Sequence, residues 1–520
     1  MKKVILFVID ALASRVVFPA MEAGKLPNLQ LLCERGEFSQ ESTAIFPSIT
    51  PAALSSLVTG GYPDEHGIAG VYWYNTEENT VEFFGADFVV VMNNGIHQFF
   101  EQFLVKLSNS LLKRDSLFQK VERAGKTAAC LNFFVYQGDV EHKVDVPLLL
   151  SLVPGVPYTK NVRGPSTLYM GDFVRASTVA ERDSLSGNGG MLNRYGFNDD
   201  NTFDILLQMV KTDALSDFTL AYCPDNDWES HSKGPQNALD TLIHFDERLG
   251  EVIEAFGGIE RMLAEVCVLI TGDHSQSDMI EDTESSGIDL SKSLIEFNIV
   301  TAGTDWSSPD QVMICPNLRA CQIYFAEPTA DSTPALASKM INQLLNTPHL
   351  DQVIWRDKLL HHGGRGYHVQ TASRGELHFF KGEGGETQGR DKYGFAWSWT
   401  GDLRTLDGTL YEDGTVSFGA YPNAFERIVS ILDLQRSGDL WVTAEVGYDL
   451  ILPEFDLHEG GSHGSLHAFD SISPLILAGA PQGVNLPAYP RSIDVAPLCL
   501  QALGITPERL PGVSAVHPDE

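Results

Sequence analysis

Three apolar runs in this 520-residue chain each lead into a carboxylate. Val4–Ile9 ("VILFVI") is followed by Asp10, Phe218–Cys223 ("FTLAYC") by "PDNDWESH", and Val266–Thr271 ("VCVLIT") by "GDH". In "DWESH", Asp227 and His231 are four apart. "GDH" sets Asp273 beside His274, and "GGSHGSLH" carries His463 and His467 in a glycine-rich loop before another apolar run. Hard carboxylate oxygens mixed with borderline imidazoles are a donor set for Zn2+ or Mn2+. Together these residues could hold two ions. Each piece alone has a plainer reading. An Asp after a strand often closes a turn, an Asp-His pair is often just solvated, and a Gly-His-Gly stretch can be only a loop. Four such pieces, each beside a predicted strand, point to one centre.

A further hydroxyl stands out. "SITPAALSSLVTG" (Ser48–Gly60) reads as a helix with Thr50 as N-cap, Pro51 at the first helical position and Gly60 just past the end. Thr50 can cap this helix, supply a nucleophile, or do both.

These residues need a scaffold that brings strand ends together. The apolar runs named above, with "AACLNFF" (Ala128–Phe134), "LWVTAEV" (Leu440–Val446) and "SPLILAG" (Ser473–Gly479), read as buried parallel strands. Helical patterns lie between many of them. The clearest is Gln236–Phe256, with Leu239, Leu242, Ile243, Leu249, Ile253 and Phe256 on one face and Gly257 after it. The alternation predicts an α/β fold: an open, mostly parallel sheet with helices on both faces, which places ligands at the carboxyl ends of its strands. Between about 276 and 434 the alternation gives way to glycine, aromatics and turns. "YEDGTVSF" (Tyr411–Phe418) is a hairpin signal and Pro334–Asn346 a helix. The expected organisation is a catalytic core over 1–275, an inserted α+β subdomain over 276–434, and the rest of the core over 435–520. A lid-like segment is expected near 139–200.

The chain carries 69 Asp and Glu against 36 Lys and Arg, a net charge of −33. That excludes a general nucleic-acid surface and makes the whole-molecule field repel anions. An anionic substrate then needs a local reversal of sign, which bound metal supplies. The seven cysteines are scattered, odd in number and mostly within apolar runs, as in reduced core positions. "MKKVILFVID" resembles the start of a signal peptide, but its apolar run is short, ends in Asp10 and has no small-residue cleavage site beside it. It reads as a strand. No membrane segment is expected, and the expected location is cytoplasmic. Oligomeric state is not legible.

In chain order the motifs are Asp10 after a strand, "FPSITP", "LVTGGYPDEHGI", "PDNDWESHSKGP", "TGDHS" and "GSHGSLH". This series resembles the alkaline phosphatase superfamily, in particular its type I phosphodiesterase/nucleotide pyrophosphatase branch. The resemblance covers Met1–Ser275 and about Gly438–Gly504. It implies two divalent metals, Zn2+ by preference with Mn2+ as the alternative. Asp10, Thr50, Asp273 and His274 would hold one, and Asp227, His231 and His463 the other. Asp227 is preferred to Asp225 because the family's Asp precedes its His by four residues. Thr50 would be the nucleophile, with the helix dipole favouring an alkoxide and a phosphoryl group at that end. The implied substrate is a small-molecule phosphoester.

One position departs from that branch. Its nucleotide pyrophosphatases carry an Asn shortly after "HGI" that donates to a phosphoryl oxygen. Here "HGIAGVYWYN" puts Val71 there, with Asn75 offset. Asn75, Lys233 and Arg365 are the remaining candidates for a substrate contact. His66 reads as structural and His467 as supporting or uninvolved. "YGFAWSW" (Tyr393–Trp399) could stack a base or pack the insert's own core. A phosphodiesterase therefore leads. Within the superfamily the alternatives are a phosphomonoesterase, phosphomutase or phosphonate hydrolase. A sulfatase is disfavoured because no CxPxR or SxPxR motif surrounds Thr50. The remote alternative is a non-catalytic, metal-stabilised binding protein.

Overall fold

The computed structural model describes residues 2–95, 98, 101–145, 161–175, 189–282, 285–307, 309, 311–360 and 364–516. Four of the apolar runs, joined by Thr167–Met170, form the parallel centre of an eight-stranded sheet. These strands are β1 (Lys3–Ile9), β2 (Ala128–Leu131), β3 (Thr167–Met170), β4 (Phe218–Cys223) and β5 (Val266–Thr271), in spatial order β5-β1-β4-β2-β3. Ile472–Ala478 runs antiparallel beside β5, with Gly36–Thr43 outside it, and Val174–Arg175 closes the other edge. The N-terminal run is thus an inner strand.

The near-continuous apolar sequences of these strands follow from burial on both faces. Along β1, Val4, Leu6 and Val8 join one core and Ile5, Phe7 and Ile9 the other. Helices Asp199–Lys211 and Leu239–Ala255 cover the second face with Phe203, Leu242, Phe245 and Leu249. Each such side chain contributes roughly 1.5–3 kcal/mol on leaving water. The helix expected over Gln236–Phe256 forms within those limits, and Gly257 ends it at φ 86°. Among the described residues no helix is long and apolar enough to cross a membrane.

A second eight-stranded sheet is antiparallel throughout. It contains β6 (Leu350–Arg356), β7 (Tyr367–Thr371) and β8 (Gly375–Lys381), flanked by Val312–Asn317, Ala320–Phe325, Thr387–Arg390 and Ala396–Gly401. Its eighth strand is Leu440–Ala444, wedged between Ala320–Phe325 and β6. Sequence reading placed that run in the core sheet. An apolar run shows that a strand is covered on both faces, not which sheet covers it. The inserted sheet therefore reaches past residue 434. Helix Thr333–Leu345 and the hairpin pairing Gly408–Leu410 with Val416–Phe418 form as expected, Gly414 turning the hairpin at φ 83°.

The segment expected as a lid divides. β3 belongs to the central sheet, and Asn161–Gly164 pairs with Val140–Lys143. Residues 146–160 and 176–188 of that expectation lie outside the described residues. "YGFAWSW" packs the insert: Trp397 and Trp399 are buried against Phe425. Buried arginines tie the two sheets together. Arg319 pairs with Asp470 at 2.8 Å, both side chains fully buried. Arg427 donates to the carbonyls of Ile45 and Leu466.

Candidate metal and active site

Parallel pairing of β1 with both β4 and β5 brings the carboxyl ends of three strands to one edge. Asp10 leaves β1 with its backbone N–H on the Cys223 carbonyl at 3.0 Å. Ala11 follows in the left-handed region, φ 54°. The Asn226 amide holds this turn by donating to the carbonyls of Asp10 (2.8 Å) and Ala11 (3.1 Å). Non-glycine residues persist in that conformation only where their surroundings over-determine it, and they gather at functional sites.

Beyond β4, helix α2 (Asp225–Lys233) presents Asp227 and His231, one turn apart, with His231 Nε2 3.4 Å from Asp227 Oδ2. Asp225 is engaged elsewhere: it accepts from Arg194 and from the Asp199 backbone N–H. After β5, Asp273 accepts from the backbone N–H groups of Ala11 and His274. His274 Nε2 lies 3.4 Å from Asp273 Oδ2, 3.6 Å from Asp10 Oδ1 and 3.1 Å from Thr50 Oγ1. His463 Nε2 lies 3.7 Å from Asp227 Oδ1, and its ring stacks on His274 at 3.8 Å. The fold thus gathers all seven expected ligands. Ligand atoms of Asp10, Asp273 and His274, and of Asp227, His274 and His463, lie within 4.8 Å of one another.

Thr50 differs from the expectation in one respect. Helix α1 (Thr50–Thr59) has Ile49 as its N-cap, since the Ile49 carbonyl accepts from Ala53 N–H at 2.9 Å. Thr50 is the first helical residue and makes no capping bond. Its hydroxyl faces His274, and Gly60 ends the helix at φ 70°. Pro51 to Thr59 are buried, so the helix that carries Thr50 is held on all sides.

The polar balance suits cations. The Nδ1 atoms of His231, His274 and His463 face the carbonyls of Gly461 (2.8 Å), Ser275 (3.1 Å) and Ser48 (2.7 Å). A carbonyl accepts only, so each Nδ1 carries the proton and each Nε2 turns a lone pair inward. Asp10 Oδ1 and Asp273 Oδ2 are buried and accept no hydrogen bond. Burial, then the charges of Asp273 and Asp227, pushes the Asp10 carboxyl well above its ordinary range, and burial raises Asp273. Burial also acts to raise Asp227, but the charge and hydrogen bond of His231 in its protonated form, a part a bound cation would take over, outweigh it and hold that carboxyl low, and Asp227 raises His231 in turn. Burial, then His274, drives His463 well below the usual imidazole range. Buried carboxylates without partners opposite inward lone pairs are a poor end state for a protein alone and a ready cradle for divalent cations.

The other candidates lie elsewhere. Asn75 is buried in a turn, bonded to Glu82 Oε1 and to the N–H groups of Glu77 and Glu78. Lys233 is exposed and pairs with Glu229 at 2.5 Å. Arg365 is exposed and does not line the cleft. His66 lies in the core between Ser56 Oγ and the Ile68 N–H. His467 caps the short helix Ala468–Ser471. Sequence reading missed Tyr222, which donates to Asp10 Oδ2, and Gln276, which donates to Asp227 Oδ1 at 3.1 Å. It also missed His458, held by Asp449 and lying 4.1 Å from the His231 ring. His458 carried a signal, five residues before His463 in one loop. Tyr222 and Gln276 carried none, because their partners are distant in sequence.

A cleft of about 430 Å³ opens beside Thr50, Asp10, Asp227, His231 and His463. Phe83, Phe84, Phe134, Phe197 and Phe455 wall it, and Val71 lines it where an Asn was sought. Trp228 stands at the cleft 59% exposed, with Arg194 5.4 Å from its ring centre. Arg194 is the one Lys or Arg among the described lining residues. It and Tyr195 are both left-handed, φ 47° and 53°.

Among solved structures, human ectonucleotide pyrophosphatase/phosphodiesterase 5 aligns with 98% of this chain and 96% of its own at 14% identity and a TM-score of 0.55. An inactive variant of the murine protein in complex with AMP aligns with 98% of this chain and 97% of its own at 13% identity and 0.57. Phosphonoacetate hydrolase from Sinorhizobium meliloti 1021, in complex with phosphonoformate, aligns with 96% of each chain at 15% identity and 0.55. At such identities these likenesses establish the shared fold. No curated protein sequence matches the chain. The family model for type I phosphodiesterase/nucleotide pyrophosphatase matches residues 4–466, from β1 through the His463 loop. The chain is a member of that family of metal-dependent phosphoric ester hydrolases.

Proposed function

We propose that this protein is a two-metal phosphodiesterase that works through a phospho-threonine at Thr50. The observation that carries the reading is the Thr50 hydroxyl at the buried N-terminus of α1, 3.1 Å from His274 Nε2 and beside the unpartnered oxygens of Asp10 and Asp273. Asp10, Thr50, Asp273 and His274 would hold one divalent ion and Asp227, His231 and His463 the other, Zn2+ by preference. Bound there, the ions supply charge neutralisation at phosphorus and a lowered pKa for the attacking hydroxyl. The chain does the positioning, which is most of what phosphoryl transfer requires. Thr50 Oγ forms a bond to phosphorus, its proton passes to solvent, and the ester P–O bond breaks with the leaving oxygen protonated by water. A water then attacks phosphorus, the Oγ–P bond breaks, and the Thr50 hydroxyl is restored. Each imidazole is held in place by the backbone carbonyl at its Nδ1.

The aromatic wall supports a diester bearing an apolar or aromatic group, which the phenylalanines and Trp228 would cover. A phosphonate hydrolase is the second reading. It is favoured by Val71 in place of an Asn and by Arg194, a guanidinium suited to a second anionic group on the substrate. Paired hydrolysis of bis-p-nitrophenyl phosphate and p-nitrophenyl phosphate, with Zn2+ or Mn2+, separates the classes. A diester preference is expected. A monoester preference would move the assignment to a phosphatase or mutase. Thr50→Ala should lower turnover about 10³-fold or more while most of the metal stays bound. A variant that hydrolyses as fast as wild type would remove Thr50 as nucleophile.

A further inference from the structure

The second sheet carries a histidine–carboxylate group that lines no part of the catalytic cleft. Trp355 on β6 pairs with His368 on β7, and His368 pairs with His378 on β8. The three rings therefore form one row across three strands. Trp355 is 5.0 Å from His368 at an interplanar angle of 2°, and His368 is 4.3 Å from His378. Asp357 follows Trp355 by two residues in the turn that ends β6. His368 Nε2 lies 2.6 Å from Asp357 Oδ1 and His378 Nε2 3.2 Å from the same atom. On the other side, His368 Nδ1 is buried without a hydrogen bond and faces Glu376 Oε1 at 3.4 Å.

An imidazolium at His368 would offer an N–H to each carboxylate, whereas the neutral ring cannot. A neutral His368 has one N–H and two carboxylates to face. Whichever nitrogen is bare turns its lone pair on a carboxylate oxygen. A cation between Nε2 and Asp357 removes the conflict and leaves Nδ1–H for Glu376, the carboxylate–histidine–metal arrangement. Tetrahedral Zn2+ with ligands at ~2.0–2.1 Å sets them about 3.3 Å apart. Here the two Nε2 atoms lie 2.6 and 3.2 Å from Asp357 Oδ1, so the ion replaces a direct His368–Asp357 hydrogen bond and the pair opens by about 0.7 Å to admit it. The backbone closes over the group as well. Gly366 N–H donates to Asp357 Oδ2 at 2.7 Å, and a Cβ at Gly366 would sit 2.0 Å from His378 Nε2. The His378 side chain, 31% exposed, leaves an open side for exchange and for a water as fourth ligand.

We propose that Asp357, His368 and His378 form a third divalent-metal site, selective for Zn2+ among the common cations, that pins the β7–β8 hairpin to the turn after β6. The site stands independently of the catalytic reading. The test uses the full chain, stripped with a chelator, reloaded in micromolar Zn2+, dialysed and assayed for zinc per chain. Wild type should hold one more zinc than His378→Ala, and one more than Asp357→Asn, which preserves side-chain shape should the first variant not fold. Hydrolysis of bis-p-nitrophenyl phosphate by either variant should match wild type. Equal zinc content in wild type and folded variant would overturn the proposal, as would an extra zinc that binds wild type only at millimolar concentration.

Discussion

His66 and His463 put one residue type to opposite uses, and the difference lies in what each ring faces. His463 has a carbonyl at Nδ1 and carboxylates across the cleft. His66 accepts the Ile68 N–H at Nδ1 and meets Ser56 Oγ at Nε2, with no acid nearby. Burial, helped by the charge of Arg114, pushes its pKa down to about 3 from 6.5. The unfolded chain therefore takes up a proton that the folded chain refuses. The neutral ring's contribution is full above about pH 6.5 and is lost as pH falls toward 3. Between pH 7 and 5 it should weaken the fold by about 2 kcal/mol. Urea midpoints across that range should fall more steeply in wild type than in His66→Gln. Parallel curves would show that His66 does not titrate in this way. The gathering of these Asp and His candidates was legible at this scale because each follows a strand or sits in a glycine loop, while the preference for Asp227 over Asp225 and the place of Thr50 came from the family resemblance. The supporting shell was not. Asn226, Tyr222 and Gln276 act on residues more than 48 positions away, and local pattern holds no record of that. Asn75 and Lys233 lie away from the cleft because nearness in sequence to a motif is not nearness to its cleft, and Arg365, far from every motif, had only its charge to recommend it.

Among the elements, the loop carrying His463 has little room. Gly464 lies at φ 117°, and a Cβ there would stand 2.5 Å from the Asn317 carbonyl oxygen. Its own carbonyl accepts from Ser48 N–H, and the His463 carbonyl accepts from Arg319 N–H at 3.0 Å. The loop is thus clamped between the α1 approach and the second sheet. Gly464→Ala should shift His463, lower metal content toward one ion fewer per chain and reduce turnover at least tenfold. Metal analysis beside initial rates checks this, and a fully loaded, fully active variant would show that the loop has slack. The helices at 236–256 and 334–346 and four of the parallel central strands were legible because their periodicity and apolar runs are local, whereas the strands of the second sheet, Leu440–Ala444 apart, carried no comparable run. The place of Leu440–Ala444 was not legible, because both sheets present a two-faced apolar environment and the run fits either.

Over the whole molecule, a net charge of −33 surrounds a cleft meant for anions. The distant field should slow an anionic diester's approach while the cleft holds it once there. Raising ionic strength from about 0.01 to 0.15 M shortens the screening length from ~30 to ~8 Å. The value of kcat/KM for bis-p-nitrophenyl phosphate should then rise severalfold, with kcat little changed. A fall in kcat/KM would mean that attraction at the cleft governs encounter. Composition made this balance visible before any fold was known. The two-sheet body, joined through Arg319 and Arg427, was visible only in part, since the long-range partners of buried arginines leave no mark in a one-dimensional pattern.

The cleft is assembled from two unlike kinds of part. The cation-facing groups stand on the ends of β1 and β5, on α1 and α2, and in the clamped loop at His463. The aromatic wall is drawn from Phe83 and Phe84, Phe134, Phe197 and Phe455, on other segments of the chain. Apart from Phe134, whose ring packs at 5.4 Å on the Tyr222 that bonds Asp10, wall residues can therefore be exchanged with the floor left in place, so a lineage can change its diet while inheriting its teeth.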